Sequence, residues 1–175
     1  MTRFEALTPD TATGAAKDML ADIVERHGSA SRMLSTMAHS PAVLGGYLGL
    51  NKAMKRAKLD RRVSERISLA VQEVQGCALC LGAHERSARS LGVSEEEIAL
   101  ARKGTSADPA VAAMVEFGLR VYTSPATITS EQVAALRRHG YGDREIADVV
   151  GVVAINIMTG AFNLVAGLEP DQHDS

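Results

Sequence analysis

Helix-starting signals recur along this chain more often than any other local pattern, and they constrain its fold most strongly. A capping side chain directly precedes a proline in the dipeptides Thr8-Pro9, Ser40-Pro41 and Asp108-Pro109. Such a pair is typical of the N-cap and first position of a helix. Further start signals are the capping-box patterns at Ser94 and Thr129 and the N-cap candidates Asp60 and Asp143. The chain is therefore predicted to form many consecutive helices.

The fold class predicted from these helix-starting signals is all-α. No stretch alternates apolar and polar residues between hairpin turns, so no strand is expected. Val63, Ile67, Val71 and Val74 keep helical spacing and predict one buried helix face. The predicted helices span about residues 9–27, 31–39, 41–57, 60–75, 78–91, 94–103, 108–123, 129–138 and 143–167.

The domain organisation is predicted to be simple, because no linker, low-complexity run or charge block divides the chain. We expect a single domain over residues 1–175. Residues 1–58 would supply N-terminal helices, and residues 59–168 would form the core that carries both cysteines.

The composition excludes several classes of partner. The chain has 19 Lys plus Arg against 21 Asp plus Glu, a net charge of −2, and no basic stripe. We therefore expect no nucleic-acid partner and no attraction to an anionic membrane surface. The N-terminal residues lack the apolar run of a signal peptide, so a cytoplasmic location is predicted.

The last predicted helix is apolar on most of its sides. Asp148, Asn156 and Asn163 interrupt the apolar run, so a membrane-spanning role is not expected. A helix that is apolar all round lies in the centre of a core or is shared with another subunit. This pattern favours a homo-oligomer that covers part of the helix.

The two cysteines of the chain lie three residues apart, and a histidine follows the second by four. At about 100° per residue, Cys77, Cys80 and His84 fall on one helical face. Gly76 is expected to end the preceding helix, which places the cysteines at the start of the next one. Free N–H groups and the helix dipole at that position favour a thiolate, the reactive form of cysteine.

A histidine at this spacing can exchange a proton with Cys80, directly or through water. A carboxylate could complete the relay by orienting the imidazole, and two glutamates precede the turn. Glu65 would face His84 if the two helices form a hairpin, although their distances from the turn do not match. Glu73 is nearer in sequence and could contact a thiol directly. The residues alone leave this choice open.

Residues 64–84 resemble the signature of the AhpD-like alkylhydroperoxidases, a branch of the carboxymuconolactone decarboxylase family. That signature is a glutamate, an apolar helix and then Gly-Cys-x-x-Cys-x-x-x-His, here Glu65 and Gly76 to His84. Residues 37–41 resemble the entry to the helix that precedes the cysteine-containing domain in the peroxidase-related subgroup. Residues 145–163 resemble the closing helix of the family.

The resemblance implies an AhpD-like helical bundle that assembles into dimers, trimers or hexamers. It implies thiol-dependent reduction of hydroperoxides, with Cys80 as the peroxidatic cysteine and Cys77 as the resolving one. His84 and Glu65 would form the proton relay, and a dithiol reductant, for instance a lipoyl-carrying protein, would restore the thiols. Such relatives carry a histidine between the cysteines, where this chain has Leu79.

Other interpretations of the cysteine motif remain open. The two cysteines could be small buried apolar residues at a helix junction. A structural zinc site needs four ligands and usually a second pair of cysteines, which the chain lacks, so we expect no metal and no cofactor. The alternative to an enzyme is a non-catalytic scaffold or redox-sensing protein of the same fold.

Overall fold

The structure is a computed structural model, and it describes residues 2–170. These residues form nine α-helices and one short 3₁₀ helix and include no strand, which confirms the all-α fold. The helices are α1 (Gly14–His27), α2 (Arg32–Met37), α3 (Pro41–Met54), α4 (Arg61–Gln75), α5 (Ala78–Ser90), α6 (Glu95–Arg102), α7 (Pro109–Thr123), α8 (Ser130–Arg138) and α9 (Asp143–Ala166), with the 3₁₀ helix at Pro125–Thr127.

Most of the predicted helix starts are confirmed by their side-chain caps. The Asp108 carboxylate accepts hydrogen bonds from the N–H groups of Ala110 and Val111 at the start of α7. Thr129 and Gln132 bond each other's backbone N–H groups in a complete capping box at the start of α8. Side-chain oxygens also cap α3, α4 and α6, from Ser40, Asp60 and Ser94.

The prediction that the first helix begins near residue 9 is wrong, because α1 begins at Gly14. Thr8 and Thr11 close an isolated turn instead. The Thr8 N–H donates to the Thr11 hydroxyl at 2.9 Å, and the Ala12 N–H donates to the Thr8 carbonyl at 2.9 Å. The same side chains that can cap a helix satisfy this single turn locally, so the signal marks a turn and not a helix.

Two further features of the helices differ from the prediction. Asp143 is the first residue of α9, and the N-cap is Gly142, whose N–H donates to Glu145 Oε2 at 2.8 Å. The 3₁₀ helix at Pro125–Thr127 was not predicted. Helix ends in general lie within a few residues of the predicted positions, which is the usual uncertainty of boundary prediction.

The capping box predicted at Ser94 is only half formed, because the Glu97 carboxylate turns to another partner. It accepts hydrogen bonds from the Ser106 hydroxyl at 2.6 Å and the Ala107 N–H at 2.9 Å. Burial acts to raise the pKa of Glu97, but these two bonds and the nearby Arg66 outweigh it and lower that pKa below its ordinary value. Glu97 thus fastens the loop after α6.

The core is built around α4, which packs against α5, α6, α7 and α9. Val63, Ile67 and Val71 are buried as the helical spacing predicts, whereas Val74, in the last turn, is 56% exposed. A Cβ at Gly118 of α7 would lie 2.6 Å from Ile67, so this glycine lets α7 approach α4 closely. The result is a helical layer with α4 at its centre.

The N-terminal helices pack onto the same assembly through α3 and α9. Leu20, Met37 and Leu44 are fully buried together, and Phe162 of α9 packs against their cluster. The Asp148 carboxylate of α9 accepts hydrogen bonds from the N–H groups of Lys58, at 2.6 Å, and Leu59, at 3.1 Å. The segment between α3 and α4 is thereby held against α9.

Helix α9 is long and apolar enough to cross a membrane by length and composition alone. One face of the helix is buried against α4 and α7. Its opposite face is also apolar, and we call it the α9 stripe. The α9 stripe consists of the exposed residues Val150, Ala154, Ile157, Ala161, Leu164 and Val165.

Candidate active site

The site begins where the chain reverses between α4 and α5. Gly76 ends α4 with a φ of +78°, a left-handed conformation that other residues rarely adopt, and its N–H donates to the Gln72 carbonyl at 2.9 Å. Cys77 follows at once as the N-cap of α5. The reversal lays α5 back along α4, as the hairpin interpretation requires.

The two cysteines are joined by a disulfide, with an Sγ–Sγ distance of 2.12 Å and a Cα–Cα distance of 5.3 Å. Both are buried, Cys77 at 2% and Cys80 at 6% exposure. The Cys80 N–H donates to Cys77 Sγ at 3.3 Å, so the sulfur acts as the side-chain cap of α5. A pair in this position can move between dithiol and disulfide without a large chain movement.

His84 and Glu65 meet across the hairpin. The distance between His84 Nδ1 and Glu65 Oε2 is 2.7 Å, and the other carboxylate oxygen accepts a hydrogen bond from the Ser87 hydroxyl at 2.8 Å. Both side chains are partly buried, with exposures of 26% and 16%. The carboxylate is therefore fixed from two sides and fixes the imidazole in turn.

Glu73, the other predicted carboxylate candidate, lies elsewhere. Its carboxylate accepts a hydrogen bond from Arg102 Nε at 2.7 Å, and Arg102 also bonds Glu85 at 3.0 Å. Both partners of the Glu73 pair are exposed. Of the two carboxylates considered, it is Glu65 that contacts His84.

Asn163 is a polar neighbour of the disulfide that the sequence did not identify as functional. Its Nδ2 lies 3.3 Å from Cys80 Sγ, and the side chain is buried at 4% exposure. The only signal in the sequence was an asparagine within an apolar helix. The sequence could not show that this face of α9 lies against α5.

A second buried polar cluster lies further along α9, towards its N-terminus. Asn156 Nδ2 donates to the Ser68 hydroxyl at 2.9 Å, and Gln72 Nε2 donates to Asn156 Oδ1 at 2.8 Å. A Cβ at Gly160 would lie 2.7 Å from Gln72 Oε1 and 2.1 Å from Gln75 Oε1. The glycine thus leaves room for two glutamine side chains between α4 and α9.

A cavity of about 500 Å³ opens beside the His84–Glu65 pair. Glu65, His84, Ser68 and Asn156 contribute polar groups to its wall. Asn51, Lys55, Arg61 and Ser64 also line it, and the apolar part of the wall includes Met54, Leu59, Val152 and Ile155. The cavity is large enough for a small organic molecule and gives it access to the imidazole.

Comparison with known proteins matches part of the chain to one family model. The model of the carboxymuconolactone decarboxylase family matches residues 41–123. The uncharacterised protein YdfG of Bacillus subtilis is 22% identical over 126 residues, which are 70% of this chain and 86% of YdfG. Alkyl hydroperoxide reductase AhpD of Bradyrhizobium diazoefficiens is 38% identical over 58 residues, 33% of this chain and 32% of that protein.

Solved structures share the whole fold at low sequence identity. The AhpD core structure of a peroxidase-related protein from Ralstonia eutropha JMP134 has a TM-score of 0.82 at 18% identity, covering 99% of this chain and 94% of that one. The apo structure of the debrominase Bmp8 has a TM-score of 0.76 at 19% identity, covering 99% and 95%. These likenesses establish the fold and leave the reaction open. The family match over residues 41–123 and the shared AhpD-like fold agree with the resemblance carried by Glu65 and by Gly76 to His84.

Proposed function

We propose that this protein is a thiol-dependent peroxidase that reduces hydroperoxides through Cys77 and Cys80. The observation that carries the proposal is the bonded cysteine pair with the Glu65–His84 pair one helical turn further along α5. A thiol pair supplies two electrons, and the histidine and glutamate supply a path for the proton. The similarity to AhpD of Bradyrhizobium diazoefficiens supports the same activity.

In the reduced enzyme, Cys80 is the attacking thiolate. Its sulfur attacks the terminal oxygen of the hydroperoxide, the O–O bond breaks, and an alkoxide leaves and takes up a proton. Cys80 then carries a sulfenic acid, which the Cys77 thiol attacks, releasing water and forming the disulfide. The start of α5 favours the thiolate because free backbone N–H groups face it there.

His84 delivers the proton to the leaving alkoxide. Its Nδ1 is taken by Glu65, which leaves Nε2 as the nitrogen that exchanges protons with Cys80 or with water. Both residues line the cavity, so the organic part of the hydroperoxide would occupy that space. Glu65 acts by holding the ring in one tautomer and one orientation.

A dithiol reductant must then return the disulfide to two thiols. We propose a small dithiol, such as the lipoyl group of a carrier protein, because such a group can enter a site where both sulfurs are nearly covered. A cytoplasmic location fits a cycle that needs a supply of reduced thiols.

The proposed assembly is a single-domain protomer that forms a homo-oligomer through the α9 stripe. Val150, Ile157 and Leu164 of this surface are 54%, 40% and 42% exposed, an apolar seam that repeats every seven residues. Such spacing suits packing against a second copy of the same helix.

The test is steady-state hydroperoxide reduction with a dithiol donor by the wild type and by the single variants Cys80→Ser and Cys77→Ser. We expect both variants to lose turnover, because each removes one half of the disulfide. Wild-type turnover in both variants would exclude the mechanism. A disulfide that forms with oxidant in the wild type without any turnover would favour the scaffold or redox-sensor alternative.

A further inference from the structure

The contact between Asn163 and Cys80 joins α9 to the proposed reaction centre. Asn163 Nδ2 lies 3.3 Å from Cys80 Sγ, while Asn163 Oδ1 is buried and has no hydrogen-bond partner among the residues that the structure describes. A buried acceptor without a donor is unfavourable. Gln72 Oε1 and Gln75 Oε1 on α4 are also buried without a partner among the described residues, but of these three amides it is Asn163 that contacts a cysteine sulfur. Asn163 Oδ1 belongs to the same amide group that contacts the reactive sulfur through Nδ2. Its lack of a partner therefore points to a missing donor.

The chemistry of sulfur fixes which end of the amide faces Cys80. A disulfide sulfur carries no hydrogen, and neither does a thiolate, so both can only accept a hydrogen bond. The amide NH₂ group gains a bond by facing the sulfur, whereas the oxygen would gain none. Asn163 Oδ1 therefore points away from the sulfur and is left to accept from another molecule.

We propose that Asn163 positions both reactants of the first step, with Nδ2 bonded to the Cys80 thiolate and Oδ1 accepting from the O–H group of the hydroperoxide. This inference rests on the peroxidase function proposed above and assigns the protein a further substrate-binding residue. The hydroperoxide is the class of ligand that supplies the missing donor, because its terminal oxygen carries both the hydrogen and the atom to be attacked.

The step balances without any change to the amide. The Cys80 thiolate and the hydroperoxide ROOH give the sulfenic acid Cys80–S–OH and the alkoxide RO⁻, so sulfur is oxidised and the O–O bond is reduced. The hydrogen bonded to Asn163 stays on the oxygen that moves to sulfur. The alkoxide takes its proton from His84, as described above.

Few ionisable groups compete with the amide in setting the charge state of Cys80. Cys77, the N-cap of α5, is bonded to it, His84 lies four residues further along α5, and Glu65 of α4 bonds His84. Helix α9 carries no ionisable side chain between Asp148 and its end at Ala166. The Asn163 amide is therefore the polar group that α9 contributes to the sulfur.

The test uses the Cys77→Ser variant, in which Cys80 is the one thiol of the chain. The ultraviolet absorbance of the thiolate against pH gives the Cys80 pKa, with Asn163 intact and with Asn163→Leu. Losing a hydrogen bond to a charged group disfavours the thiolate, so we expect the pKa to rise by about one to two units in the Asn163→Leu protein. Asn163→Ala, which is smaller and cannot clash, should give the same rise if the leucine disturbs folding.

The matched control is Asn156→Leu, which removes another buried asparagine of α9 that bonds Gln72 and Ser68 and does not bond sulfur. It should leave the Cys80 pKa unchanged while lowering stability, and it serves as the control for the pKa alone, because Asn156 also lines the cavity. The second readout is the rate constant for oxidation of Cys80 by cumene hydroperoxide at a pH where every variant is fully thiolate. Loss of the Oδ1 contact should lower it about tenfold, the effect of one hydrogen bond of about 1.4 kcal/mol.

The two proposals fail in different ways. An unchanged Cys80 pKa and an unchanged thiolate rate constant in both Asn163→Leu and Asn163→Ala would overturn the role of Asn163. A Cys77→Ser protein that forms its thiolate normally but is not oxidised by the hydroperoxide would overturn the peroxidase function itself, and with it the role assigned to Oδ1.

Discussion

Replacing Gly160 by alanine tests the close approach of α9 to α4, on which the position of Asn163 depends. The added Cβ would lie 2.1 Å from Gln75 Oε1, 2.6 Å from Gln75 Cδ and 2.7 Å from Gln72 Oε1. These distances are far shorter than any ordinary van der Waals contact. At least one glutamine amide must therefore move.

The size of the effect follows from what each glutamine would lose. Moving Gln75 breaks its hydrogen bond to the Ile157 carbonyl, 3.1 Å long and worth about 1 kcal/mol. Gln72 is fully buried and bonds Asn156 twice, at 3.0 and 2.8 Å, so displacing it adds the cost of overpacking, about 1–3 kcal/mol. Alanine favours the helix by about 1 kcal/mol, which offsets part of this.

We therefore expect Gly160→Ala to lower the free energy of unfolding by about 1–3 kcal/mol, which in a chain of this length lowers Tm by about 2–4 °C per kcal/mol. Urea unfolding at one fixed protein concentration measures it. The matched control is Gly46→Ala in α3, where an added Cβ meets nothing within 4 Å and should stabilise by up to about 1 kcal/mol. Equal stabilisation by both substitutions would refute the packing described here.

Three further predictions concern the relay, the pH dependence of stability and the assembly. Glu65→Gln should lower the rate constant of hydroperoxide reduction at least about tenfold, because the imidazole loses its orienting carboxylate, whereas Glu73→Gln should leave it unchanged. Glu97→Gln should lower the free energy of unfolding by about 1–2 kcal/mol at pH 7. Because folding lowers the pKa of Glu97, its contribution is full above the unfolded value of about 4.3 and is lost as the pH falls through the lower folded value, so the difference between the two proteins in urea unfolding should shrink as the pH is lowered from 7 towards 3. Ile157→Asp and Leu164→Asp should each shift the protein to smaller species in sedimentation velocity, and an unchanged sedimentation coefficient would exclude the α9 stripe as the interface.

The helices were predictable from the sequence because their start signals are local. Asp108 and Thr129 accept hydrogen bonds from N–H groups within three residues of themselves. Both partners of each cap can therefore be identified from a short stretch of sequence. The same locality explains the error at Thr8, where the side-chain bonds close one turn and the helix begins only at Gly14. A cap signal predicts a helix only where packing supports the next turns.

The sequence motif predicted the choice of Glu65, and the geometry of straight helices did not. Counting residues from the turn placed Glu65 and His84 at unequal distances from Cys77. The structure nevertheless brings Glu65 Oε2 to 2.7 Å from His84 Nδ1. Counting residues along two straight helices locates a side chain only to within about one helical turn. That precision is too low to predict whether two side chains form a hydrogen bond.

The contact of Asn163 with Cys80 could not be predicted, because it joins residues 83 positions apart on two helices. It depends on the rotation of α9 about its own axis, and an apolar helix with two apolar faces does not reveal that rotation from its sequence. The side of α9 that carries Asn163 is identified as buried only by its packing against α4 and α5.

The central claim, that Cys80 is the sulfur that attacks the hydroperoxide, is tested most directly by mass spectrometry of single-cysteine variants treated with one equivalent of cumene hydroperoxide. The account predicts that Cys77→Ser gains one oxygen atom on Cys80, which a sulfenic-acid reagent then traps, while Cys80→Ser gains none at the same reaction time. Oxygen trapped on Cys77 in the Cys80→Ser variant, with Cys80 left unmodified in the Cys77→Ser variant, would contradict it.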